Sequence, residues 1–198
     1  IIVIFSLFFS LISKGEDSDR RDAYLKILDQ EIGEMIRLTK SVGRENPIIF
    51  VRLMYVLIEK GKLIREKEND KYLKIPPKKR GKINKSTFYK KSRKFFLKAR
   101  KVGNFGLKKF KTYPGRGNFY HGVSEVYLEL GESKKFYTNI KKVFELSKKG
   151  SKVYKRSSIT LGEYFYNKQR YSEALKYYEL GLRGKKNKWW TKDAYHLA

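Results

Sequence analysis

Apolar residues recur every three or four positions along most of the chain, which is the spacing of one face of an α-helix. Phe136, Ile140 and Val143 show this spacing between polar neighbours, and Leu161 and Phe165 continue it further along. The four prolines stand at predicted helix starts or in loops, where they interrupt no helix. The hydrophobic pattern therefore predicts an all-α protein.

Residues 161–182 form the most regular segment, with the pattern of a helix, a tight turn and a second helix. Small residues stand where the two helices must approach closely: Gly162, Ala174 and Gly181. Large residues stand where we expect them to fill the space beside a neighbour: Leu161, Phe165, Tyr171 and Tyr178. This spacing resembles the tetratricopeptide repeat, a helical hairpin of about 34 residues that is stable only when it stacks on further copies.

The same pattern recurs at three other places, each marked by the residue that corresponds to Leu161. The marker residues follow at intervals of 70, 38 and 36 residues and are Leu53, Val123, Leu161 and Leu197. The resemblance implies a solenoid of stacked hairpins with an irregular first repeat and a truncated last one. An ordinary helix pair in another all-α fold is the alternative. Because members of this family bind peptides or protein surfaces, the resemblance also implies a non-catalytic scaffold.

The first twelve residues, from Ile1 to Ile12, are almost entirely apolar. This run is shorter than the roughly 20 residues of a membrane-spanning helix and has the length of the apolar core of a secretory signal. We therefore expect a signal peptide or membrane anchor over residues 1–15. That expectation favours an exported protein, in the periplasm or envelope of a bacterium. A buried first helix or strand, or a cytoplasmic location, is the alternative.

Three regions follow this segment in the sequence. Residues 16–45 predict an N-terminal capping helix whose apolar stripe covers the first repeat, as the end of a solenoid requires. Residues 46–116 predict an irregular, long and basic helical hairpin. Residues 117–198 contain the repeats, the last of them incomplete.

Capping residues and prolines predict where the helices begin and end. Asn46 followed by Pro47 is typical of a helix start. Gly61 is expected to end the regular helix of the first repeat, which is marked by Leu53. Residues that favour a helix nevertheless continue to the Pro76-Pro77 pair. Two further helix starts are expected, at Asp17 or Ser18 and at Ser86 or Thr87.

The formal net charge is +27, and its distribution is uneven. Residues 71–124 contain 18 Lys or Arg and no Asp or Glu. The densest part predicts a polyanion-binding patch, formed by Lys78, Lys79, Arg80, Lys90, Lys91, Arg93, Lys94 and Lys98. Nucleic acid or an anionic surface would suit such a patch. However, the chain has 34 Lys against 13 Arg, and Arg binds phosphates and bases better, so nucleic acid is the less favoured partner. The alternative is that these lysines are solvated and bind no specific partner.

The sequence offers little for catalysis or metal binding. There is no cysteine, which excludes disulfides and zinc-thiolate sites. His121 and Glu125 are four residues apart and share one face of a predicted helix, yet no further ligand is evident near them or near His196. The Gly115 and Gly117 pair lacks the preceding strand of a phosphate-binding loop. We therefore expect no enzyme activity, no metal and no cofactor.

The resemblance places the binding groove along the first helix of each hairpin. Its candidate residues are Glu125, Leu128, Glu129, Glu163, Tyr166 and Asn167. Family members that clamp a C-terminal carboxylate use Lys, Asn and Arg in this groove, whereas acidic and apolar residues stand here. We therefore expect a partner segment that is both apolar and basic, from another protein or from a second copy of the chain. Contact with a membrane is expected only through the N-terminal segment.

Overall fold

The structure is a computed structural model, and it describes the backbone of residues 2–41 and 45–182 and the side chains of residues 19–41 and 45–182. Every regular element within these ranges is a helix, which confirms the all-α prediction. The helices are α1 (Ile2–Ser41), α2 (Pro47–Leu73), α3 (Pro77–Arg80), α4 (Lys85–Phe88), α5 (Lys90–Lys109), α6 (Arg116–Glu129), α7 (Ser133–Leu146), α8 (Lys152–Tyr166) and α9 (Tyr171–Leu182). None of the helices searched in the described ranges has the length and hydropathy to cross a membrane.

The chain divides into two compact units, residues 1–99 and residues 100–198. In the first unit α1 packs along α2, and Leu28 of the predicted stripe is fully buried. The helix begins at Ile2, so the predicted starts at Asp17 and Ser18 are wrong: α1 runs through both without a break.

Ion pairs fix the direction of α1 and α2. Arg21 pairs with Asp70 at 2.7 Å, and Arg52 pairs with Glu31 at 2.5 Å. Residues with higher numbers on α1 pair with residues of lower numbers on α2, so the two helices are antiparallel. Two more ion pairs of the same kind lie between them, Lys60 with Asp29 and Lys67 with Asp22.

The predicted start of α2 is confirmed, whereas its predicted end is wrong. The side chain of Asn46 accepts a hydrogen bond from the backbone N–H of Ile48 at 3.0 Å. The helix then continues past Gly61 to Leu73. A Cβ on Gly61 would lie 2.7 Å from the ring of Phe96, so this glycine admits a ring of α5 and does not end the helix.

Asn84, and neither Ser86 nor Thr87, starts the helical segment that follows the Pro76-Pro77 break. Its side chain accepts hydrogen bonds from the N–H groups of both residues and caps α4. The chain turns at Tyr89, and α5 begins at Lys90. The predicted second helix is therefore real, but it is divided into a short and a long part.

Up to residue 182, the second unit contains two helical hairpins, α6 with α7 and α8 with α9. Gly131 ends the first helix of the first hairpin at φ +76°, a left-handed conformation that glycine adopts without strain. Phe136, Ile140 and Val143 of α7 are fully buried, as the hydrophobic pattern predicted.

Contacts within the second hairpin follow the predicted small and large residues. A Cβ on Gly162 would lie 2.8 Å from the ring of Tyr178, and one on Gly181 would lie 2.8 Å from Ile159. Ala174 is buried at the same interface. Tyr171 differs from them, because it is 55% exposed and makes an edge contact with the ring of Tyr166 on α8 at 5.5 Å.

The two hairpins also pack on each other, through contacts of α8 with α6 and with α7. The rings of Phe144 on α7 and Tyr154 on α8 lie 5.0 Å apart. The shared core contains residues of both hairpins, namely Phe136, Ile140, Leu161, Phe165 and Ala174. The fourth predicted marker, Leu197, lies outside the described residues.

Candidate functional site

The six candidate groove residues occupy equivalent positions on the first helices of the two hairpins. Adding 38 to the numbers of the three residues on α6 gives the other three: Glu163 and Tyr166 on α8, and Asn167 at its C-cap. Because α6 packs against α8, the structure brings the two helices that carry these residues side by side.

The three residues on the first hairpin are only partly accessible. Glu125 retains 15% of its side-chain exposure, and its Oε2 lies 3.9 Å from Nδ1 of the buried His121. Leu128 packs against the shared core of the hairpins. Glu129 is also half-buried. Leu128 therefore contributes to the core, and the two carboxylates form the edge of this face.

The three residues on the second hairpin face solvent. Glu163 and Asn167 are exposed, and Tyr166 is 38% exposed. The ring of Tyr166 makes an edge contact with Tyr171 at 5.5 Å. Burial, followed by the nearby negative charge of Glu163, raises the pKa of Tyr178. This end of the face therefore carries an exposed carboxylate, an exposed amide and an exposed aromatic ring.

The second candidate site is the polyanion patch, whose residues lie on α3 and α5. Lys78 and Lys79 on α3 are exposed. Arg80 instead donates from Nη2 to the carbonyl of Leu73 at 2.6 Å and from Nε to the carbonyl of Ile75 at 2.7 Å. Carbonyls at a helix C-terminus lack partners within the helix, so Arg80 caps the end of α2. Arg80 therefore has a structural role, and its place in the polyanion patch stays a prediction.

The remaining patch residues lie on α5 and are exposed. Lys90, Lys94 and Lys98 follow each other at intervals of four and lie along one face of the helix. Lys91 and Arg93 flank this face. The predicted patch on α5 is thus a row of cations on a single helix.

A buried carboxylate from α2 anchors the first turn of α5. Glu68 is 7% exposed and accepts hydrogen bonds from the N–H of Lys91 at 3.1 Å and from the hydroxyl of Ser92. Arg65 Nε donates to Ser92 Oγ at 2.9 Å, and its guanidinium lies 4.6 Å from the ring centroid of Tyr89. The sequence analysis missed this network, since nothing in the local pattern relates Glu68 to Ser92.

A shallow cleft of about 590 Å³ in the second unit was also missed by the sequence analysis. Its lining comes from α7, α8 and the turn before α9: Ser133, Lys134, Tyr137, Thr138, Tyr164, Phe165 and Arg170. Arg170 is already paired with Glu173. Residues from three elements meet here, and no spacing in the sequence indicates that they do.

His121 lies in the core of the second unit, between α6 and α8. It is fully buried, and its Nε2 lies 3.4 Å from Oγ1 of Thr160 on α8. Within the described ranges, no three residues among His, Cys, Asp and Glu are grouped closely enough to hold a metal ion. His121 and Glu125 therefore stand as a helix pair at the contact of α6 with α8, while His196 lies outside the described residues.

No family model, curated protein or solved structure matches the chain. The described residues define an all-α protein of helices packed in neighbouring pairs.

Proposed function

We propose that the chain is a non-catalytic scaffold whose stacked hairpins bind a basic and apolar segment of a partner protein or of a second copy. The observation that carries this proposal is the packing of α6 against both α7 and α8. It joins one hairpin to the next through their first helices, as a tetratricopeptide-like solenoid requires. The small-to-large contact of Gly162 with Tyr178 supports the same arrangement.

Charge on the face of α6 and α8 supports a basic partner. Glu125, Glu129 and Glu163 stand on this face in a chain with only 20 acidic residues. Tyr166 adds an exposed apolar surface beside them. An exported location is part of the proposal and rests only on the apolar run of residues 1–15.

A pair of labelled peptides tests the scaffold, one of alternating Lys and Leu and one with Glu in place of Lys. Fluorescence anisotropy should show binding of the Lys peptide. Glu163→Lys should weaken it about fivefold, or about 1 kcal/mol, because an attractive charge at the edge of the site becomes repulsive.

Glu179→Lys is the matched control. It makes the same change of charge on an exposed residue of α9, outside the proposed groove. The Lys peptide should bind this variant as it binds the original chain. Binding of the Glu peptide alone, with equal affinity for all three proteins, would contradict the proposed groove.

A second candidate function is polyanion binding through the patch on α3 and α5. The observation that favours it is the exposed row of Lys90, Lys94 and Lys98, in a stretch of 54 residues, 71–124, without one acidic side chain. Such a row needs no shaped pocket, because neutralised phosphates release their counterions. Arg80 adds its positive charge beside Lys78 and Lys79 while two of its nitrogens donate to backbone carbonyls.

A salt series with a random single-stranded oligonucleotide tests this candidate. Replacing the three lysines with Glu should make the negative slope of log K against log salt shallower by about 2 or more. Each neutralised phosphate releases about 0.7 counterion, and the variant loses three phosphate contacts. The control reverses Lys148, Lys149 and Lys152, which are exposed and lie outside the patch. An equal change in both triple variants would show that only net charge matters, and absence of binding near physiological salt would rule out nucleic acid.

A further inference from the structure

The shallow cleft of the second unit has an aromatic wall. Tyr137 of α7 and Tyr164 and Phe165 of α8 contribute rings to its lining. Tyr137 and Tyr164 are half-buried, so part of each residue remains accessible to solvent. The ring centroids of Tyr164 and Phe165 lie 5.5 Å apart in an edge contact, and the ring of Phe136 lies 4.8 Å from that of Tyr164. Rings packed in this way offer a ligand a rigid apolar surface.

Two cations also line the cleft, Lys134 of α7 and Arg170 before α9. Lys134 is exposed and forms no ion pair with another described residue. Arg170 donates two hydrogen bonds to Glu173, and its guanidinium lies 4.7 Å from the ring centroid of Phe165. None of the described residues that line the cleft is acidic. The cleft therefore combines an aromatic wall with the positive charge of Lys134.

The carboxylate that precedes α7 does not cancel this charge, because other cations already pair with it. Glu132 Oε2 lies 2.6 Å from Nζ of Lys135, and its Oε1 lies 3.4 Å from Nη1 of Arg100. Lys134 stands in the first turn of α7, which contains no acidic residue. Because the dipole of a helix favours negative charge at its N-terminus, it adds to the attraction that Lys134 exerts on an anion.

We propose that this cleft binds a small aromatic anion, a planar ring that carries a carboxylate or a phosphate. The ring packs against Tyr137 and Tyr164, and the anionic group binds Lys134 and the hydroxyl of Ser133. A volume of about 590 Å³ lies within the range of small-molecule sites. Because the cleft is shallow, we expect a dissociation constant on the order of 1 mM. The inference does not depend on the scaffold proposal.

Saturation-transfer NMR of ligand signals, recorded with the whole chain, tests the inference. Phenyl phosphate and benzoate should both bind, and the tighter of the two identifies the anionic group. Methyl phosphate keeps the charge without the ring, and benzylamine keeps the ring with the opposite charge. Each should bind about fivefold more weakly than phenyl phosphate, because each lacks one of the two interactions.

Lys134→Glu locates the anionic group. It should weaken the binding of phenyl phosphate about fivefold, because an attractive charge becomes repulsive. Lys149→Glu is the matched control, since it makes the same change on an exposed lysine of the second unit that does not line the cleft. It should leave the affinity nearly unchanged. Far-UV circular dichroism checks the helices of each variant, and Lys134→Gln should give a smaller loss of affinity if the charge reversal unfolds the chain.

Several outcomes would overturn the inference. Absence of binding of both aromatic anions, well above the expected dissociation constant, would do so directly. Equal affinities for phenyl phosphate and methyl phosphate would show that the ring contributes nothing, and equal affinities for phenyl phosphate and benzylamine would show that the charge does not. Equal losses in Lys134→Glu and Lys149→Glu would place the anion elsewhere. None of these results bears on binding of the Lys peptide at Glu163, which tests the scaffold separately.

Discussion

Glycines at helix contacts decide how closely the helices approach. Gly61 admits Phe96, and Gly162 admits Tyr178, at distances that leave no room for a methyl group. By contrast, within the described part of the chain, no neighbouring group packs within 4 Å of the position where a Cβ on Gly33 of α1 would be. The same residue type therefore serves packing at two positions and only weakens the helix at the third.

Alanine substitutions separate these two roles. Gly162→Ala should lower the free energy of unfolding by about 1 kcal/mol, because overpacking costs about 1–3 kcal/mol while the gain in helix propensity is about 1 kcal/mol. Gly33→Ala should raise it by about 0.5–1 kcal/mol. Urea unfolding followed by circular dichroism measures both. A gain for Gly162→Ala as large as that for Gly33→Ala would refute the close contact with Tyr178.

At the scale of the element, α5 illustrates how a helix without favourable termini is stabilised from elsewhere. Its first turn contains no acidic residue and begins with lysines, which the helix dipole disfavours at that end. Glu68 of α2 supplies the missing negative charge and accepts two of the bonds that the first turn offers. A single carboxylate thereby joins two helices and sets where α5 starts.

Glu68→Gln tests this role. We expect a loss of about 1–2 kcal/mol in the free energy of unfolding, because the charge-assisted bonds at the helix N-terminus are weakened. Glu66→Gln is the control, since Glu66 is exposed on the same helix. Chemical denaturation measures both losses, and equal losses would contradict a specific role of Glu68 at α5.

At the scale of the whole molecule, charge is separated along the chain. In the first unit, Asp22, Asp29 and Glu31 of α1 pair with cations of α2. Beyond position 71 no acidic residue follows until Glu125, so the excess positive charge is concentrated on α3, α5 and the loops between them. Acidic residues return on α6 and α8. Both units nevertheless carry a net positive charge, so the two proposed partners follow from local faces, the lysines of α5 and the carboxylates of α6 and α8.

Local features of the fold were predictable from the sequence. The buried stripe of α7, the cap at Asn46 and the close contacts of Gly162 and Gly181 all follow from neighbouring residues, because helical periodicity and capping act within a few positions. The exposure of Tyr171 was not predictable, because it depends on whether another element covers that side of α9.

Some features of the candidate sites could likewise be predicted from the sequence, and others could not. The common face of Lys90, Lys94 and Lys98 could be predicted once a helix is expected there, because it depends only on their spacing. It could not foresee that Arg80 caps α2 or that Leu128 enters the core. Those roles depend on which groups happen to lie within reach after the chain has folded.

By itself, the sequence determined the helical class, the pairing of small with large residues in the last hairpin and the segregation of charge. Only the tertiary structure decided that Gly61 admits Phe96 within an uninterrupted helix, that Glu68 anchors α5 and that His121 lies buried beside Thr160. The physical reason is the distance along the sequence over which each interaction acts. Periodicity, capping and composition are encoded within one or two helical turns, whereas burial and hydrogen-bond partners are set by residues about 25 to 40 positions apart that meet only in the folded chain.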